Sequence, residues 1–280
     1  MTIAGILRDK IFSPNSNDLR IMQLVSMKLQ ARGETVVLYT EEQFQENDIQ
    51  AQAIFSMARH TATLNKLQEA ESQGSIVINP PAGVRRCIRT EITHTMLQEG
   101  LSMPRYVVLD LSAGLQLPGD IPFPCWLKRA DTFTQLKDDV CFIPDITALN
   151  NHLASFIDRG IKTAIITEHV EGDLIKFYGV SKTPFFHWYY PTLDKHYGKF
   201  GLEQINSPIH KYPFLEKELI SDMNRLAETV QVPVYGGDCI MDKEGNYQII
   251  DFNDWPSFYK CAERASEAIV DYIIRRIRNG

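Results

Sequence analysis

The fold is decided by a stretch near the end of the chain, Gly237-Asp238-Cys239-Ile240-Met241-Asp242-Lys243-Glu244-Gly245-Asn246-Tyr247-Gln248-Ile249-Ile250-Asp251-Phe252-Asn253-Asp254-Trp255-Pro256. Two apolar runs flank the polar segment 243–246, and glycine and asparagine in so short a connection predict a β-hairpin. Residues two apart in a strand share a face, so Asp251 and Asn253 point the same way, and the partner strand brings Asp238 beside them. Two carboxylates and an amide oxygen on one face suit Mg²⁺. These residues alone leave open a hairpin whose acids simply face water.

The composition is that of a globular protein, with 44% hydrophobic and 23% charged residues among 280. This length allows one large domain or two to three lobes. The formal net charge of -6 argues against a nucleic-acid-binding surface. The sequence shows no signal peptide and no membrane-spanning apolar run. Its five scattered cysteines lack any CxxC pair, which is typical of reduced cytoplasmic thiols, and no zinc site is visible. We expect a cytoplasmic protein without nucleic-acid or membrane partners.

The N-terminal residues follow an alternating pattern of strands and helices. Apolar runs predict strands over 2–7, 35–39, 53–57 and 75–79, and a helix over 19–31 connects the first two. A second helix, ending near residue 73, precedes the last strand. Strand–helix–strand order favours parallel pairing. We therefore predict an α/β domain over residues 1–76.

The rest of the chain alternates less regularly. Apolar spacing predicts a helix over 84–98 and a strand over 103–109, then strands over 125–129 and 140–143 that flank the polar loop 130–139. The remaining predicted elements are a helix over 145–159, strands over 163–170 and 174–180, and helices over 214–230 and 262–278. The aromatic stretch 183–213 gives no readable pattern.

Four motifs, in this order, resemble the ATP-grasp superfamily: Asn79-Pro80-Pro81 before a helix, Trp126-Leu127-Lys128, Thr167-Glu168-His169-Val170-Glu171-Gly172, and the hairpin with Asp238 and Asp251-x-Asn253. This superfamily includes D-alanine–D-alanine ligase, glutathione synthetase, the ribosomal-protein glutamate ligases and inositol trisphosphate kinases. The resemblance implies an α/β fold class in which two α+β lobes enclose the nucleotide behind an N-terminal Rossmann-like domain. The ATP-grasp module would span 77–280, with a first and central lobe over 77–169 and a C-terminal lobe over 170–280.

The resemblance implies ATP and Mg²⁺ as cofactors. Asp238, Asp251 and Asn253 resemble the magnesium ligands, although the superfamily usually has Glu at the position of Asp251. Lys128 resembles the lysine that holds the phosphates, and Lys176 resembles a second basic residue that faces them. Burying a triphosphate requires cations, because an unpaired buried charge is expensive. A lysine between apolar strand neighbours, such as Lys176, is also compatible with an exposed sheet face.

The resemblance also implies the residues that hold the nucleoside. Glu168, His169 and Val170 lie where the superfamily's hinge binds adenine, with Val170 acting through its backbone. Glu171 or Asp173 would accept the ribose hydroxyls, and we prefer Asp173. All five residues are thus predicted to bind the nucleotide.

The sequence departs from the superfamily at two phosphate-binding features. The usual lysine on the helix after residue 79 is missing, and its place falls at Arg89 or Thr90. Arg89 is the interpretation we adopt, since guanidinium binds phosphate bidentately, although it does not duplicate an ammonium group. We therefore group Arg89 with Lys128 and Lys176 as catalytic cations. The loop 131–137 contains no glycine, whereas the superfamily's phosphate-covering loop is usually glycine-rich.

A third departure concerns the acyl-phosphate side of the site. Ligases of the superfamily commonly have an arginine just before the position of Asp238, where this chain has Tyr235-Gly236-Gly237. That arginine steadies the acyl phosphate. Its absence requires another cation, such as Arg59 or Lys182.

The resemblance implies an ATP- and Mg²⁺-dependent ligase that joins a carboxylate to an amine or thiol through an acyl phosphate. The alternatives are a kinase that phosphorylates a hydroxyl and a catalytically silent nucleotide-binding protein. The predicted partner is a small molecule with a carboxylate, and a homodimer is among the oligomeric states left open. Candidate substrate contacts are Arg8, the loop 13–17, Arg59 with His60, and His187-Trp188-Tyr189.

Overall fold

The N-terminal part of the chain forms a four-stranded parallel sheet in the order β2-β1-β3-β4. The computed structural model describes residues 2–12, 17–112, 120, 122–192, 201–206 and 208–279. The elements of this N-terminal domain are β1 (Thr2–Ile6), α1 (Asn17–Ala31), β2 (Thr35–Tyr39), α2 (Glu41–Glu46), β3 (Ala53–Ser56), α3 (Thr61–Ser72) and β4 (Ile76–Ile78). Every residue of β3 is buried, as expected for a strand covered on both faces. The predicted parallel α/β arrangement is confirmed, whereas α2 was not predicted.

The helix predicted over 84–98 is wrong, because the structure has two helices there. They are α4 (Pro81–Arg86) and α5 (Arg89–Gln98). The chain leaves helical geometry at Ile88, which has extended backbone angles. Because α5 starts anew at this break, Arg89 occupies its first turn. Upstream, the buried Asn79 side chain exchanges two hydrogen bonds with the backbone of Val234, at 2.8 and 2.9 Å. This exchange joins the end of β4 to the C-terminal lobe.

The central sheet is antiparallel and has the order β5-β8-β6-β7. Its elements are β5 (Tyr106–Asp110), β6 (Cys125–Arg129), β7 (Val140–Ile143), the helix α6 (Ile146–Asp158) and β8 (Thr163–Glu168). Asp145 caps α6 by accepting a hydrogen bond from the amide of Ala148. The apolar stripe of α6 (Leu149, Leu153 and Phe156) is buried in the central core. The strands predicted on either side of the polar loop are confirmed.

The C-terminal sheet carries the hairpin and has the order β10-β9-β11-β12. Its elements are β9 (Asp173–Val180), β10 (Phe186–Tyr189), a 3-10 helix (Leu202–Asn206), α7 (Glu216–Val230), β11 (Val234–Met241), β12 (Tyr247–Asp254) and α8 (Ala262–Asn279). Strands β11 and β12 pair antiparallel, which confirms the predicted hairpin. The register shifts after Asp238, where a bulge lies. Such bulges re-aim side chains, and this one is at a predicted ligand.

The N-terminal sheet and the C-terminal lobe share buried cores. Trp255 stacks on Phe55 of β3 with ring centroids 6.1 Å apart, and the buried face of α8 belongs to the same cluster. The domain boundary at residue 76 stays a prediction. The five cysteines are buried and carry no disulfide. Among the described helices, none combines the length and the apolar character that crossing a membrane requires.

Candidate active site

A cleft with a volume of about 570 Å³ lies between the three sheets. Its walls come from the loops after β1 and β3, from β6 and the loop that follows, from the segment between β8 and β9, and from the β11–β12 hairpin. The predicted site residues that line it are Arg89, Lys128, Glu168, His169, Val170, Lys176, Asp238, Asp251 and Asn253. The fold therefore gathers residues that are far apart in sequence into one cavity.

The three predicted magnesium ligands lie together on the hairpin. Asp238 and Asp251 are directly opposite each other on β11 and β12, and Asn253 follows two residues later on the same face. Asn253 Nδ2 donates to Asp251 Oδ2 at 2.8 Å. Among the described residues, no group of three or more His, Cys, Asp or Glu side chains is placed to hold a metal unaided. A cation here would need oxygen atoms from another source, such as nucleotide phosphates.

The two carboxylates differ in their electrostatic surroundings. Burial, with the nearby charges of Asp251 and Glu203, raises the pKa of Asp238, although Lys176 opposes the rise. For Asp251, burial opposes ionisation, but Arg89 and Lys128 outweigh it and lower the pKa of that carboxyl. Asp238 is thus a largely buried carboxylate, with 22% of its side chain exposed, whose charge is incompletely offset by the protein. This donor set fits Mg²⁺, which would supply the missing charge.

Lys176 is the cation closest to this pair. Its Nζ lies 3.1 and 3.2 Å from the two oxygens of Asp238 and 3.4 Å from Oε1 of Glu203. Burial opposes its charge, but Asp238 and Glu203 prevail and raise the pKa of Lys176. Lys176 therefore stays protonated, and the reading of an exposed sheet face is wrong because its side chain is only 18% exposed.

Lys128 lies deeper in the cleft wall. It is 8% exposed, and its Nζ donates to the carbonyl of Ile250 at 3.2 Å. Burial, together with the charge of Arg89, lowers the pKa of Lys128 to about 8, against the opposing pull of Asp251 and Asp238. The lowered pKa means that the neighbouring acids do not fully compensate the burial of the Lys128 charge. A phosphate group would supply the missing negative charge.

Arg89 reaches the site from the start of α5. Its Nη1 is 3.7 Å from Asp251 Oδ1, and its Nε donates to the carbonyl of Arg129 at 3.2 Å. The neighbouring Thr90 instead donates its hydroxyl to the carbonyl of Ala130. Of the two predicted positions, the structure brings Arg89 into the cleft.

The end of β8 and the segment after it form the far end of the cleft. Glu168 accepts from the amide and Nε of Arg105, at 3.2 and 2.8 Å. His169 Nδ1 accepts from the indole of Trp126 at 3.1 Å, and burial lowers the pKa of His169. The Val170 carbonyl accepts from Asn206 Nδ2 at 3.1 Å. Apolar side chains complete these walls, and they include Val140, Leu174 and Ile240.

Two predicted ribose contacts lie elsewhere. Asp173 is fully buried, and its two oxygens accept from the amides of His210 and Tyr212 at 2.7 and 2.8 Å. Glu171 is exposed. Neither residue lines the cleft. Asp173 instead anchors the segment that precedes α7, so the structure does not bring our preferred ribose acceptor to the site.

The loop after β6 closes over the cleft although it contains no glycine. Phe133 is 7% exposed and makes an edge contact with Phe12, at a centroid distance of 6.4 Å. At the other end of the loop, the buried carboxylate of Asp139 accepts from the amides of Gln135 and Leu136. It also pairs with Arg159. These contacts hold both ends of the glycine-free loop against neighbouring parts of the chain.

The structure separates the predicted substrate contacts. Arg8, Arg59 and Tyr189 line the cleft. His60 contacts Asp9 at 3.3 Å and does not line it. The remaining candidates, Trp188, His187 and Lys182, do not line the cleft. Trp188 packs against Phe214, and His187 stacks on Tyr189. The carbonyl of Lys182 accepts a hydrogen bond from Arg275. Of the loop 13–17, only Asn17 falls within the described residues, and it lines the cleft.

Sequence reasoning missed Asp254 and Glu203. Asp254 follows Asn253, and alternation along a strand predicts that it points away from the metal face. It is fully buried and pairs with Arg59 and Arg8 at the end of β12. Glu203 lies in the stretch that gave no readable pattern. The only signal in the sequence was the polar pair Asn253-Asp254 at the end of the predicted strand.

Several solved structures have a similar architecture over nearly their whole length. The D-alanine–D-alanine ligase of Bacillus anthracis, complexed with ATP, superposes with a TM-score of 0.69 at 11% identity, over 100% of this chain and 99% of that one. The RimK domain ATP-grasp protein of Sphaerobacter thermophilus gives 0.68 at 13% identity, over 97% and 99%. The ATP-grasp ligase PsnB, complexed with a minimal precursor, gives 0.64 at 14%, over 98% of both. No protein-family model matches the sequence, and no curated protein matches it significantly. The likeness shows that the chain has the ATP-grasp fold, as the four motifs predicted.

Proposed function

We propose that this ATP-grasp chain is an ATP- and Mg²⁺-dependent ligase that joins a carboxylate to an amine or thiol. The observation that carries the proposal is the shared cleft of Asp238, Asp251 and Asn253 with Lys128 and Lys176. The fold does not require two acids and two cations in one largely buried cluster, because removing four charges from water is expensive. An anionic ligand with a divalent cation accounts for both sets.

The nucleotide would occupy the cleft along its length. The apolar walls beside His169 and Val170 suit a purine ring, and Glu168 and the Val170 backbone supply polar contacts at its edge. At the other end, Lys128, Lys176 and Arg89 converge on the hairpin and would hold the phosphates. The related D-alanine–D-alanine ligase structure contains ATP, which supports the same ligand here.

Mg²⁺ would be held by Asp238, Asp251 and Asn253 together with phosphate oxygens. When bound, it neutralises charge that develops on the phosphates. The protein's part is positioning. Lys176 must exchange its contact with Asp238 for a phosphate oxygen, and Lys128 is already aimed into the cleft from β6. Both lysines stabilise charge that spreads over the transferred phosphoryl group.

The reaction needs no nucleophile from the protein. A substrate carboxylate oxygen attacks the γ-phosphorus, the bond to ADP breaks, and an acyl phosphate and ADP result. The amine then attacks the acyl carbon, the bond to phosphate breaks, and the amide, inorganic phosphate and a proton are released. The loop around Phe133, which packs on Phe12, would shield this end of the cleft, and exclusion of water protects an acyl phosphate from hydrolysis.

The charge balance of the cleft disfavours a kinase for a polyphosphorylated substrate. Among the described lining residues, six carboxylates face five Lys and Arg side chains. A polyanion would need an excess of cations at this wall. A small carboxylic acid requires only a local donor. We propose such an acid as the substrate and the cytoplasm as the location, with no nucleic-acid or membrane partner.

A substrate screen tests the proposal. The protein is incubated with MgATP, hydroxylamine and a panel of carboxylic acids, and both ADP and acyl hydroxamate are measured. Hydroxylamine traps the acyl phosphate, so a ligase forms the two products in equal amounts. ADP with a phosphorylated alcohol would instead establish the kinase. Absence of turnover with any acceptor would favour the silent nucleotide-binding protein.

Controls connect the activity to the cleft. Omitting Mg²⁺ or adding EDTA should stop ADP formation. The exposed residue Asp158, at the end of α6, offers a matched control, since Asp158→Asn removes one carboxylate outside the cleft lining. Activity that survives EDTA would contradict the proposed metal dependence.

A further inference from the structure

Two buried arginines from the N-terminal domain meet at one end of the cleft. Arg8 follows β1 and Arg59 follows β3, and their side chains are 7% and 10% exposed. Asp254, whose side chain is fully buried, bridges them: Oδ1 lies 2.7 Å from Arg59 Nη2, and Oδ2 lies 3.4 Å from Arg8 Nη2. Asp18 also pairs with Arg8, at 3.1 Å. The four side chains form a closed, nearly neutral group.

The bridging leaves a donor of Arg59 unused. Its Nε is buried and has no hydrogen-bond partner among the described residues. Guanidinium presents its donors in a fixed fork, so Nη2 cannot turn away from Asp254 without taking Nε with it. A buried donor without an acceptor is costly, and such groups call for an explanation. Arg59 lines the cleft, so an acceptor oxygen on a bound ligand would satisfy Nε once the Phe133 ring, which packs on the guanidinium, shifts aside.

The surrounding structure fixes both arginines. Glu41, the first residue of α2, is 2% exposed and accepts hydrogen bonds from the amides of Asp9, Arg59 and His60. One buried carboxylate thereby holds the loops after β1 and β3 at once. On the outer side, the ring of Phe133 covers the Arg59 guanidinium at 4.8 Å from the ring centroid. The arginine pair is thus preorganised, with little conformational entropy left to lose on binding.

Strand β11, on the C-terminal side of the cleft, has no room for a cationic side chain at Gly236. A Cβ atom at Gly236 would lie 2.8 Å from Pro256 Cγ and 2.8 Å from Tyr178 Cδ1. An arginine at this position would require these side chains to move. Gly236 pairs with Asn253, the residue before Asp254. A cation for this part of the cleft can therefore come from the opposite domain, and Arg59 lines the same cleft as the proposed metal ligands.

We propose that Arg8 and Arg59, bridged by Asp254, form the anion subsite that binds the substrate carboxylate and retains the phosphate after its transfer. This inference rests on the proposed ligase function and adds the residues that recognise its second substrate. Arg59 acts as the donor through Nε, and Arg8 and Asp254 hold it in position. Because the group is nearly neutral, it selects an anion by hydrogen-bond geometry rather than by excess charge.

Inorganic phosphate, a product of the proposed reaction, is the probe. Calorimetry first measures MgADP binding, and then phosphate binding to the protein saturated with MgADP. The variants are Arg59→Gln, Arg59→Lys and the double variant Arg59→Gln/Asp254→Asn, which avoids an unpaired buried carboxylate. Arg20→Gln changes an exposed arginine outside the cleft lining and serves as the matched control. Thermal melts verify that each variant folds.

We expect phosphate affinity to fall by about 10- to 100-fold in Arg59→Gln and in the double variant, as for one charge-assisted hydrogen bond. Arg59→Lys should retain an intermediate affinity, because ammonium lacks the planar fork. MgADP affinity should change less than about twofold in each. Phosphate binding that is absent in the wild type, or equal in all variants, would overturn the subsite while leaving the ligase proposal standing. A wild type that does not bind MgADP would refute both the ligase and this role.

Discussion

Replacement of Lys128 by methionine tests the phosphate-binding role of this cation. Lys128 is buried, and its pKa is lowered to about 8. At pH 7 roughly nine-tenths of the free protein carries the charge, and at pH 9 only about one-tenth does. If only the charged form binds nucleotide, the apparent Kd rises by about tenfold over this range. Methionine keeps most of the side-chain volume but removes the charge. At pH 7 it should weaken binding by about 1.5–3 kcal/mol, or roughly 10- to 150-fold.

The measurement is a titration with a non-hydrolysable MgATP analogue at half-unit intervals from pH 7 to pH 9.5. The wild-type affinity should fall above pH 8, whereas the affinity of Lys128→Met should stay flat. Comparing the two profiles removes any titration that they share, including that of the nucleotide. Parallel profiles would refute the charge assignment. Equal affinities at pH 7 would remove Lys128 from the phosphate site altogether.

Two further predictions concern stability. Because the pKa of Lys128 in the folded protein lies below its ordinary value of 10.5, the unfolded chain binds more protons between pH 8 and about 10, and stability rises with pH in that window. Lys128→Met should therefore raise the free energy of unfolding at pH 7 by roughly 3 kcal/mol, measured by urea denaturation; an unchanged or lower value would contradict the buried-charge penalty. Asp139 behaves oppositely: burial is outweighed by hydrogen bonds from Leu136 and Gln135 and by Arg159, which lower its pKa. Its contribution is present above about pH 4 and is lost as pH falls through the lowered pKa. Asp139→Asn should lower the free energy of unfolding by about 3 kcal/mol at pH 7 and weaken the loss of stability that the wild type shows at acid pH. If this variant loses stability at acid pH as the wild type does, Asp139 is not the source of that loss.

The hairpin was predictable because two local rules coincide there. The connection between β11 and β12 has turn residues, and the alternation of side chains puts Asp251 and Asn253 on one face. The pairing of Asp238 with Asp251 then follows from antiparallel geometry. Lys128 was also named from the sequence, because Trp126-Leu127-Lys128 before a polar loop resembles the superfamily's phosphate-binding strand.

Other positions depended on tertiary structure. Asp173 begins a strand beside the predicted hinge, but its carboxylate is used by the amides of His210 and Tyr212, far along the chain. Local sequence gives no sign of this competition. The break between α4 and α5 is similar, since an apolar pattern continued across Ile88 and only the packing decided where Arg89 would point.

The Arg59–Asp254 pair shows the same limit at the substrate end. The two residues are 195 positions apart; Arg59 follows a strand of the N-terminal sheet, and Asp254 ends a strand of the C-terminal sheet. A lone arginine after a strand is usually a surface group, so sequence named Arg59 and Lys182 as equal candidates. Burial of Arg59 against Asp254 and Phe133 distinguishes them.

The central claim is that Asp238, Asp251 and Asn253 hold a divalent cation against nucleotide phosphates. Electron paramagnetic resonance of Mn²⁺, which replaces Mg²⁺, measures this directly with and without a non-hydrolysable ATP analogue. We predict tight Mn²⁺ binding to the wild type and to Asp158→Asn only when the analogue is present. Asp251→Ala should lose that binding and, with it, Mg²⁺-dependent ATP turnover. Equal Mn²⁺ affinity in Asp251→Ala and the wild type would contradict the assignment.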